Sequence, residues 1–167
     1  MSTPLLLVDE LCTIAEAATA DLLLENENNS LSAAQIVAGF LDEDIPTTGK
    51  PSEPSTLAPF VIVRFLSAKD MLGQSTATVK FIAMTYSKRG QGWRDAVELL
   101  IRIRMALLRN QTVGKRFRLE HPIEWEMPED RPWPYSVAWM TTTWTIAQPI
   151  EEIDYDQSLG GIYGEKY

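Results

Sequence analysis

The segment Phe60-Val61-Ile62-Val63-Arg64-Phe65-Leu66 opens the stretch that decides the fold, which continues from there to Gln148. Short runs rich in β-branched and aromatic residues flank one long amphipathic run, so the stretch predicts two strands, a helix and two more strands. The five predicted elements are residues 60–66, 76–86, 93–109, 116–127 and 135–148. This order predicts an α+β domain with one compact core.

An N-terminal helix is predicted ahead of this stretch. Ser2-Thr3-Pro4 is a typical helix start, with a hydroxyl at the N-cap and a proline in the first turn. Apolar residues then recur at helical spacing: Leu7, Leu11, Ile14, Ala15, Ala18 and Leu22. Residues 32–40 are compatible with a second, short helix. We therefore expect a mixed or antiparallel sheet packed against the N-terminal helix and the central amphipathic helix, with extended loops and a C-terminal tail.

The middle of the chain carries the clearest patterns. Both faces of residues 76–86 are largely apolar, which predicts a central strand. The predicted buried stripe of the central helix is Val97, Leu100, Ile101, Met105 and Leu108, widened by Leu99, Ile103 and Leu107. Glu98 and Arg102 have the spacing of a weak i,i+4 ion pair.

The domain organisation follows from composition. Residues 1–150 are predicted to form one domain, since a chain of 167 residues is of single-domain length. Residues 42–58 combine prolines with Gly49 and few large apolar side chains, which predicts a mobile loop or an arm that orders against a neighbouring subunit. Residues 151–167 are expected to form a flexible acidic C-terminal tail.

The last predicted strand is unusual because residues 135–148 contain no charged side chain. At about 3.3 Å per residue it would span roughly 46 Å, so we expect it to bend or to continue into a sheet shared with another copy. Aromatic residues are enriched at protein interfaces. The residues predicted to lie at a subunit interface are Trp125, Trp133, Trp139, Trp144 and Tyr135.

Charge and cysteine content limit the classes of function. Fifteen basic against 23 acidic residues give a formal net charge of −8, which disfavours tight binding of nucleic acid. No apolar stretch approaches the roughly 20 residues of a membrane helix, so no membrane association is expected. The single cysteine, Cys12, excludes an intramolecular disulfide, and we expect an intracellular origin.

Residues with catalytic potential are sparse, so no catalytic, cofactor-binding or metal-binding residue is predicted and the chain is not expected to be an enzyme. His121 is the only histidine. Gly90-Gln91-Gly92 lacks the other residues of a dinucleotide or phosphate loop. The acidic group Glu124, Glu126, Glu129 and Asp130 is the one alternative, since paired carboxylates can hydrolyse a substrate. We expect these carboxylates to be solvent-exposed surface residues without a catalytic role.

The order of these segments resembles the tail-terminator and tail-completion family of long-tailed bacteriophages. The resemblance covers residues 59–150 and is carried by five segments: "PFVIVRF", "VKFIAMTYS", "GWRDAVELLIRIRMALL", "FRLEHPIEWEMPEDRPWPY" and "WMTTTWTI". It rests on order and spacing, since none of the segments is diagnostic alone. The family has no catalytic residues to transfer.

The resemblance implies a structural virion protein at the head-proximal end of the tail, made in the host cytoplasm. It implies a homo-oligomeric ring, commonly a hexamer, that caps the tail tube, stops its polymerisation and provides the docking surface for the neck or head. The implied partners are the major tail tube protein and a neck or head-completion protein, with DNA passing through without tight binding.

The acidic composition suits such a channel, and the residues predicted to face it are Asp42, Glu43, Asp44 and Glu53. The alternatives are a head-tail neck connector or adaptor, a small carboxylate-dependent hydrolase, and an unrelated cytosolic binding module.

Overall fold

The computed structural model of the chain describes residues 1–41, 57–130 and 132–151. The protein is α+β: an N-terminal helix and a central helix pack on a curled, mixed sheet of six strands, which confirms the predicted fold class. The described elements are α1 (Pro4–Thr19), β1 (Leu24–Glu25), β2 (Leu31–Ser32), β3 (Gln35–Ala38), β4 (Phe60–Met71), β5 (Gln74–Tyr86), α2 (Gly92–Arg109), β6 (Thr112–Val113), β7 (Phe117–Glu126) and β8 (Tyr135–Ile146). The predicted loop or arm lies mostly outside the described residues, as does the predicted C-terminal tail.

Helix α1 begins as the sequence predicts. The Oγ1 atom of Thr3 accepts a hydrogen bond from the backbone N–H of Leu6 at 3.2 Å, and Pro4 occupies the first helical position. The helix ends at Thr19, earlier than the predicted apolar pattern, and the Thr19 hydroxyl donates to the carbonyl of Ala15. Leu22, the last residue of that pattern, still packs against the core from the following turn.

The predicted second helix at residues 32–40 is wrong. Gln35–Ala38 forms strand β3, which pairs in parallel with the beginning of β4. Its centre is the β-branched pair Ile36 and Val37. Backbone pairing with β4 and the strand preference of these two residues outweigh a weak helical spacing.

Within the described residues the main sheet has the order β3-β4-β5-β8-β7-β6. Apart from the β3–β4 pair, the neighbouring strands are antiparallel. Strand β5 lies between β4 and β8, so its predicted central position is confirmed. Strand β8 pairs with β5 from Tyr135 to Ile146 and with β7 from Trp139 to Ile146, so most of it is paired on both edges within its own chain and little of its edge is left for a sheet shared with another copy.

Helices α1 and α2 cover one face of this sheet and form the main core with it. The largest fully buried side chains are Trp144, Phe81, Phe117, Leu7, Leu11, Leu99, Leu100, Ile103, Leu107, Leu119, Met140 and Val61. On the opposite face a smaller apolar cluster gathers at one end of the strands: Ala58, Phe60, Ile62 and Tyr86. The sheet is therefore apolar on both faces at the end where β5 runs toward α2.

The buried face of α2 differs from the predicted stripe. Leu99, Leu100, Ile103 and Leu107 are fully buried, whereas Met105 is exposed. Because the helix is apolar on more than one side, sequence spacing could not select the side that meets the sheet. The predicted Glu98–Arg102 pair is present, with 3.2 Å between Arg102 Nε and Glu98 Oε1. Arg102 also bridges to Asp21 beyond the end of α1, at 2.8 Å.

Candidate assembly surface

The five aromatic residues predicted to form one interface lie in different places. Register places Trp125 beside Met140, on the face covered by the helices, whereas Trp139 lies beside Glu126 on the opposite face. Trp133 lies in the connection between β7 and β8. The structure therefore does not bring the predicted residues together into one patch.

Trp144 corrects the sequence-based prediction most clearly. Its side chain is fully buried, and its indole N–H donates to Thr142 Oγ1 at 2.8 Å. The Thr142 hydroxyl in turn donates to the carbonyl of Val79 on β5. Because the ring fills the subunit's own core and its polar atom has a partner there, Trp144 is a core residue and not an interface residue.

Trp139 is half-buried on the sheet face opposite the helices. Its indole N–H donates to Glu126 Oε1 at 2.8 Å, and the Lys80 ammonium lies 4.6 Å from the ring centroid. A cation over a tryptophan ring is attracted by the ring quadrupole. The residue therefore joins β8 to its neighbours β5 and β7 within one subunit, although part of its ring stays accessible.

Trp125 and Trp133 are the predicted interface residues that the subunit leaves most open. Trp125 is 42% exposed, and the Arg104 guanidinium of α2 lies 5.8 Å from its ring centroid. Trp133 is 63% exposed. A third exposed tryptophan, Trp93, lies in the first turn of α2 and was not among the residues predicted to form an interface. These three rings are available to a partner.

Tyr135 is tied to the N-terminal part of the chain. Its hydroxyl donates a hydrogen bond to Glu27 Oε1, while Glu27 Oε2 accepts from the backbone N–H of Ala58 at 3.1 Å. Its ring packs edge-on against Tyr86, with centroids 5.6 Å apart. The hydrogen bond to Glu27, with partial burial, raises the pKa of Tyr135 to about 12. Tyr135 thus fixes the start of β8 within the subunit.

An exposed apolar feature that the sequence reasoning missed lies on the β4–β5 hairpin and at its far end. Phe65, Leu66 and Met71 are 40–57% exposed, and Leu72 in the two-residue turn is fully exposed. We call Met71 and Leu72 the hairpin end, since Phe65 and Leu66 lie about six residues earlier on β4. Turns of this kind favour Asn, Asp or Gly, so an apolar Met71-Leu72 ahead of Gly73 was the signal that could have identified it.

The hairpin end is held in place by polar contacts at its base. The Ser75 hydroxyl donates to Asp70 Oδ1 at 2.5 Å, and Gln148 Nε2 donates to the carbonyl of Met71 at 2.7 Å. Gly73 has φ +80°, a conformation that glycine adopts without a Cβ penalty. The apolar side chains are therefore presented on a braced turn.

A pocket of about 190 Å³ lies at the opposite end of the strands. Its apolar walls are formed by Trp93, Pro128, Pro132 and Val137, with Met127 and Ser136 completing the lining. Glu129 and Asp130 add two carboxylates to the lining. The Ser136 hydroxyl has no hydrogen-bond partner and is buried against Gly92. We call this cavity the Trp93 pocket.

The side chains that could support catalysis do not form a recognisable site. His121 is exposed, with Nε2 3.3 Å from Gln111 Oε1. Burial, and then the nearby Asp9 and Glu16, raise the pKa of the Cys12 thiol, which lowers its reactivity. Among the residues that the structure describes, no group of three or more His, Cys, Asp or Glu side chains could hold a metal ion.

The alternative hydrolase carboxylates are spread along the surface. Glu124 and Glu126 are exposed on β7, and Glu126 already accepts from Trp139. Glu129 and Asp130 line the Trp93 pocket. The residues predicted to face a channel, Asp42, Glu43, Asp44 and Glu53, lie outside the described residues.

No model of a known protein family matches the chain, and no curated protein matches it in sequence. Neither helix in the described ranges has the length and apolar content needed to cross a membrane.

Proposed function

We propose that this protein is a structural virion component, a phage tail terminator that assembles as a ring on the end of the tail tube. The ring, commonly of six subunits in proteins of this kind, would stop tube polymerisation and provide the surface to which the neck or head docks. The sequence resemblance motivates the assignment. The exposed apolar surface described above supports an assembly role.

The observation that carries the proposal is the hairpin end. Met71 and Leu72 are exposed on a braced turn, and the subunit does not cover them; Phe65 and Leu66 are exposed farther along the same strand. Apolar residues on an exposed turn, a position that favours polar residues, are consistent with a surface that a partner covers. The exposed rings of Trp93, Trp125 and Trp133 add the residue type most enriched at binding hot spots.

The charge of the chain suits a conduit for DNA. A formal net charge of −8 opposes the phosphate backbone, and each basic contact would otherwise add salt-sensitive affinity. Arg102 and Arg104 are engaged with Glu98, Asp21 and Trp125. These contacts direct two of the basic side chains toward the subunit's own surface.

The decisive experiment measures tail length. The purified protein is added to the polymerising major tail tube protein from the same genome, and tube length is measured by negative-stain electron microscopy. We expect shorter tubes of uniform length with a ring at one end. Binding to the portal vertex and not to tube ends would instead assign the chain to a neck connector.

A matched pair of variants makes the test specific. Leu72→Asp places a charge on the hairpin end, and Leu5→Asp places one on an exposed apolar position of α1. Both residues are exposed, so both variants should fold. We expect Leu72→Asp to lose tube capping and Leu5→Asp to retain it. Unchanged capping by both variants would remove the hairpin end from the assembly surface.

A further inference from the structure

We propose that residues 152–156 pair as a short strand with the open outer edge of β4, beside residues 67–71 of the same chain. These five residues lie outside the described ranges and follow directly after Glu151. The contact goes beyond the proposed function and does not depend on it, because it follows from one edge of the sheet and from the sequence that continues next to it.

The outer edge of β4 is covered over only part of its length. Strand β3 pairs with β4 from Phe60 to Val63, and in the described ranges no other strand continues this pairing toward the hairpin turn. A bulge between Phe65 and Ser67 interrupts the register, so the regular free edge runs from Ser67 to Met71. The unpaired backbone groups of such an edge are a template for another strand.

The described part of the chain ends close to this edge. After β8 ends at Ile146, the Gln148 side chain donates a hydrogen bond to the carbonyl of Met71, the last residue of β4, at 2.7 Å. The chain from Gln148 to Glu152 reaches at most about 14 Å, and a strand beside β4 would lie about 4.8 Å from it. So short a tether gives residues 152–156 a high effective concentration at the edge of their own chain.

Residues 152–156 have the sequence pattern of a strand with two different faces. Acidic residues alternate with apolar ones: Glu152, Ile153, Asp154, Tyr155 and Asp156. Alternation with a period of two is typical of a strand whose faces meet different surroundings. One face of this strand would be acidic and the other apolar, and its length matches the free edge.

The free edge of β4 also has two different faces. Ala68 pairs with Ala77, which belongs to the main core, so Ala68 lies on the side of the sheet that the helices cover. Asp70 lies on the same side, and its Oδ1 atom accepts the hydrogen bond from Ser75. Lys69 lies between them in sequence and therefore on the opposite side.

Charge selects one way of combining these faces. With Lys69 opposite Asp154, the acidic face of the added strand lies on the lysine side of the sheet. Asp70 is then opposite Ile153, so no two carboxylates are directly opposed. Shifting the pairing by one residue would place Asp70 against a carboxylate and would leave Lys69 without an acidic partner.

The other charges of this region leave the choice unchanged. Arg64 precedes the bulge, where its Nε donates to the carbonyl of Gly39 at 2.9 Å and its guanidinium lies 4.2 Å from the Phe40 ring centroid. Lys80 of β5 pairs with Arg64 and adds a second ammonium group on the side of Lys69. The charged residues of β7 lie three strands away from β4, a distance of about 14 Å.

The consequence of the contact is protection of a strand edge. An open edge can pair with another chain and cause aggregation, and proteins commonly cover such edges. A lysine on the edge disfavours apolar and basic strands and suits an acidic one. Leu72 lies in the turn beyond the paired residues, so the added strand leaves this side chain accessible to a partner.

The first test is disulfide trapping within one chain, in a Cys12→Ala background. Ala68→Cys is combined with Tyr155→Cys, and the intrachain cross-link is quantified by peptide mapping after mild oxidation. Opposed residues of an antiparallel pair have Cα atoms about 4.5–5.5 Å apart, a separation that a disulfide spans. The matched control combines Ala68→Cys with Asp154→Cys, whose side chains would lie on opposite faces.

We expect the 68–155 cross-link to exceed the 68–154 control at least tenfold. Equal yields would overturn the pairing. A 68–155 cross-link that forms between two chains, seen as a dimer on a non-reducing gel, would assign the segment to a neighbouring copy and would overturn the inference as well.

The second test reverses the charge at the centre of the pairing. Lys69→Glu should lower the yield of the 68–155 cross-link roughly two- to fivefold, the scale of one exposed ion pair, and adding Asp154→Lys should restore it. Lys115→Glu is the control, because Lys115 lies between β6 and β7 at the other edge of the sheet. An equal loss in Lys69→Glu and Lys115→Glu would contradict the proposed register.

Hydrogen exchange of the full chain tests the same contact without introduced cysteines. Ile153→Pro combined with Tyr155→Pro removes two backbone donors from the segment, and Leu159→Pro combined with Ile162→Pro is the control beyond it. We expect residues 67–71 to exchange at least about fivefold faster in the first variant than in the wild type and the control, with the exchange of β8 unchanged. Identical exchange of residues 67–71 in all three proteins would overturn the inference.

Discussion

The Tyr135 hydroxyl donates a hydrogen bond to the carboxylate of Glu27, a residue 108 positions earlier in the chain. The other oxygen of the same carboxylate accepts from the backbone N–H of Ala58. One acidic side chain thus joins the start of β8 to the segment that enters β4. The bond holds the tyrosine in its protonated form, because a charged phenolate would repel Glu27.

Tyr135→Phe should lower the free energy of unfolding by about 1 kcal/mol at pH 8, the scale of one hydrogen bond. The pKa of Tyr135 is raised to about 12 from an ordinary value of 10.0, so its contribution is fully present below pH 10 and is lost as pH rises from 10 through 12. Urea unfolding at pH 8 and pH 11 checks this. The variant should approach the wild type at the higher pH, with Tyr86→Phe as the control. A constant difference between wild type and Tyr135→Phe would contradict the linkage.

Trp144→Ala should lower the free energy of unfolding by about 3–5 kcal/mol, because it empties a large volume in the core. It also leaves the Thr142 hydroxyl without the indole partner. Trp133→Ala is the matched control and should change stability by less than about 0.5 kcal/mol, since the ring is exposed. Urea denaturation of both variants measures the contrast. Similar stability losses would mean that Trp133 also packs within the subunit.

The orientation of α2 predicts that substitutions at Leu107 and Met105, two residues apart, differ in their effect on stability. Leu107→Ala should lower the free energy of unfolding by about 2–5 kcal/mol, because Leu107 is fully buried against the sheet. Met105→Ala should cost less than about 1 kcal/mol, because Met105 keeps much of its surface in water. Thermal or urea unfolding of the pair would decide which face of the helix meets the core.

Ser136→Ala should raise the free energy of unfolding by about 1 kcal/mol. The hydroxyl is buried without a hydrogen-bond partner, so its removal relieves a desolvation cost. Ser136→Val tests crowding at the same position, because Gly92 lies against this side chain and leaves little room. The valine variant should be less stable than the alanine variant. A clear loss of stability in Ser136→Ala would indicate that the hydroxyl does have a partner.

The protein should not retain duplex DNA at physiological salt, because a net charge of −8 opposes phosphate. Nonspecific DNA-binding proteins typically show Kd values of roughly 10⁻⁴–10⁻⁶ M under such conditions. Fluorescence anisotropy with a labelled duplex, titrated with salt, provides the measurement. Micromolar affinity that weakens steeply with added salt would favour a neck protein that grips DNA.

The sequence by itself determined the element types of the core. Apart from the two-residue β6, residues 60–148 form the strand, strand, helix, strand, strand order that hydrophobic periodicity predicts, and Thr3 caps α1 as its hydroxyl and the following proline predict. The central position of β5 also followed from its two apolar faces. These features depend on local patterns, which a single chain displays directly.

Only the tertiary structure decided which apolar surfaces meet. It selected the Leu107 face of α2 over Met105, placed Trp144 in the core, and enclosed β8 between two strands of its own chain. It also left Leu72 exposed and formed the Trp93 pocket at the other end of the sheet. Burial depends on neighbours that are distant in sequence, so residue type alone does not distinguish a core tryptophan from one that binds a partner at the surface.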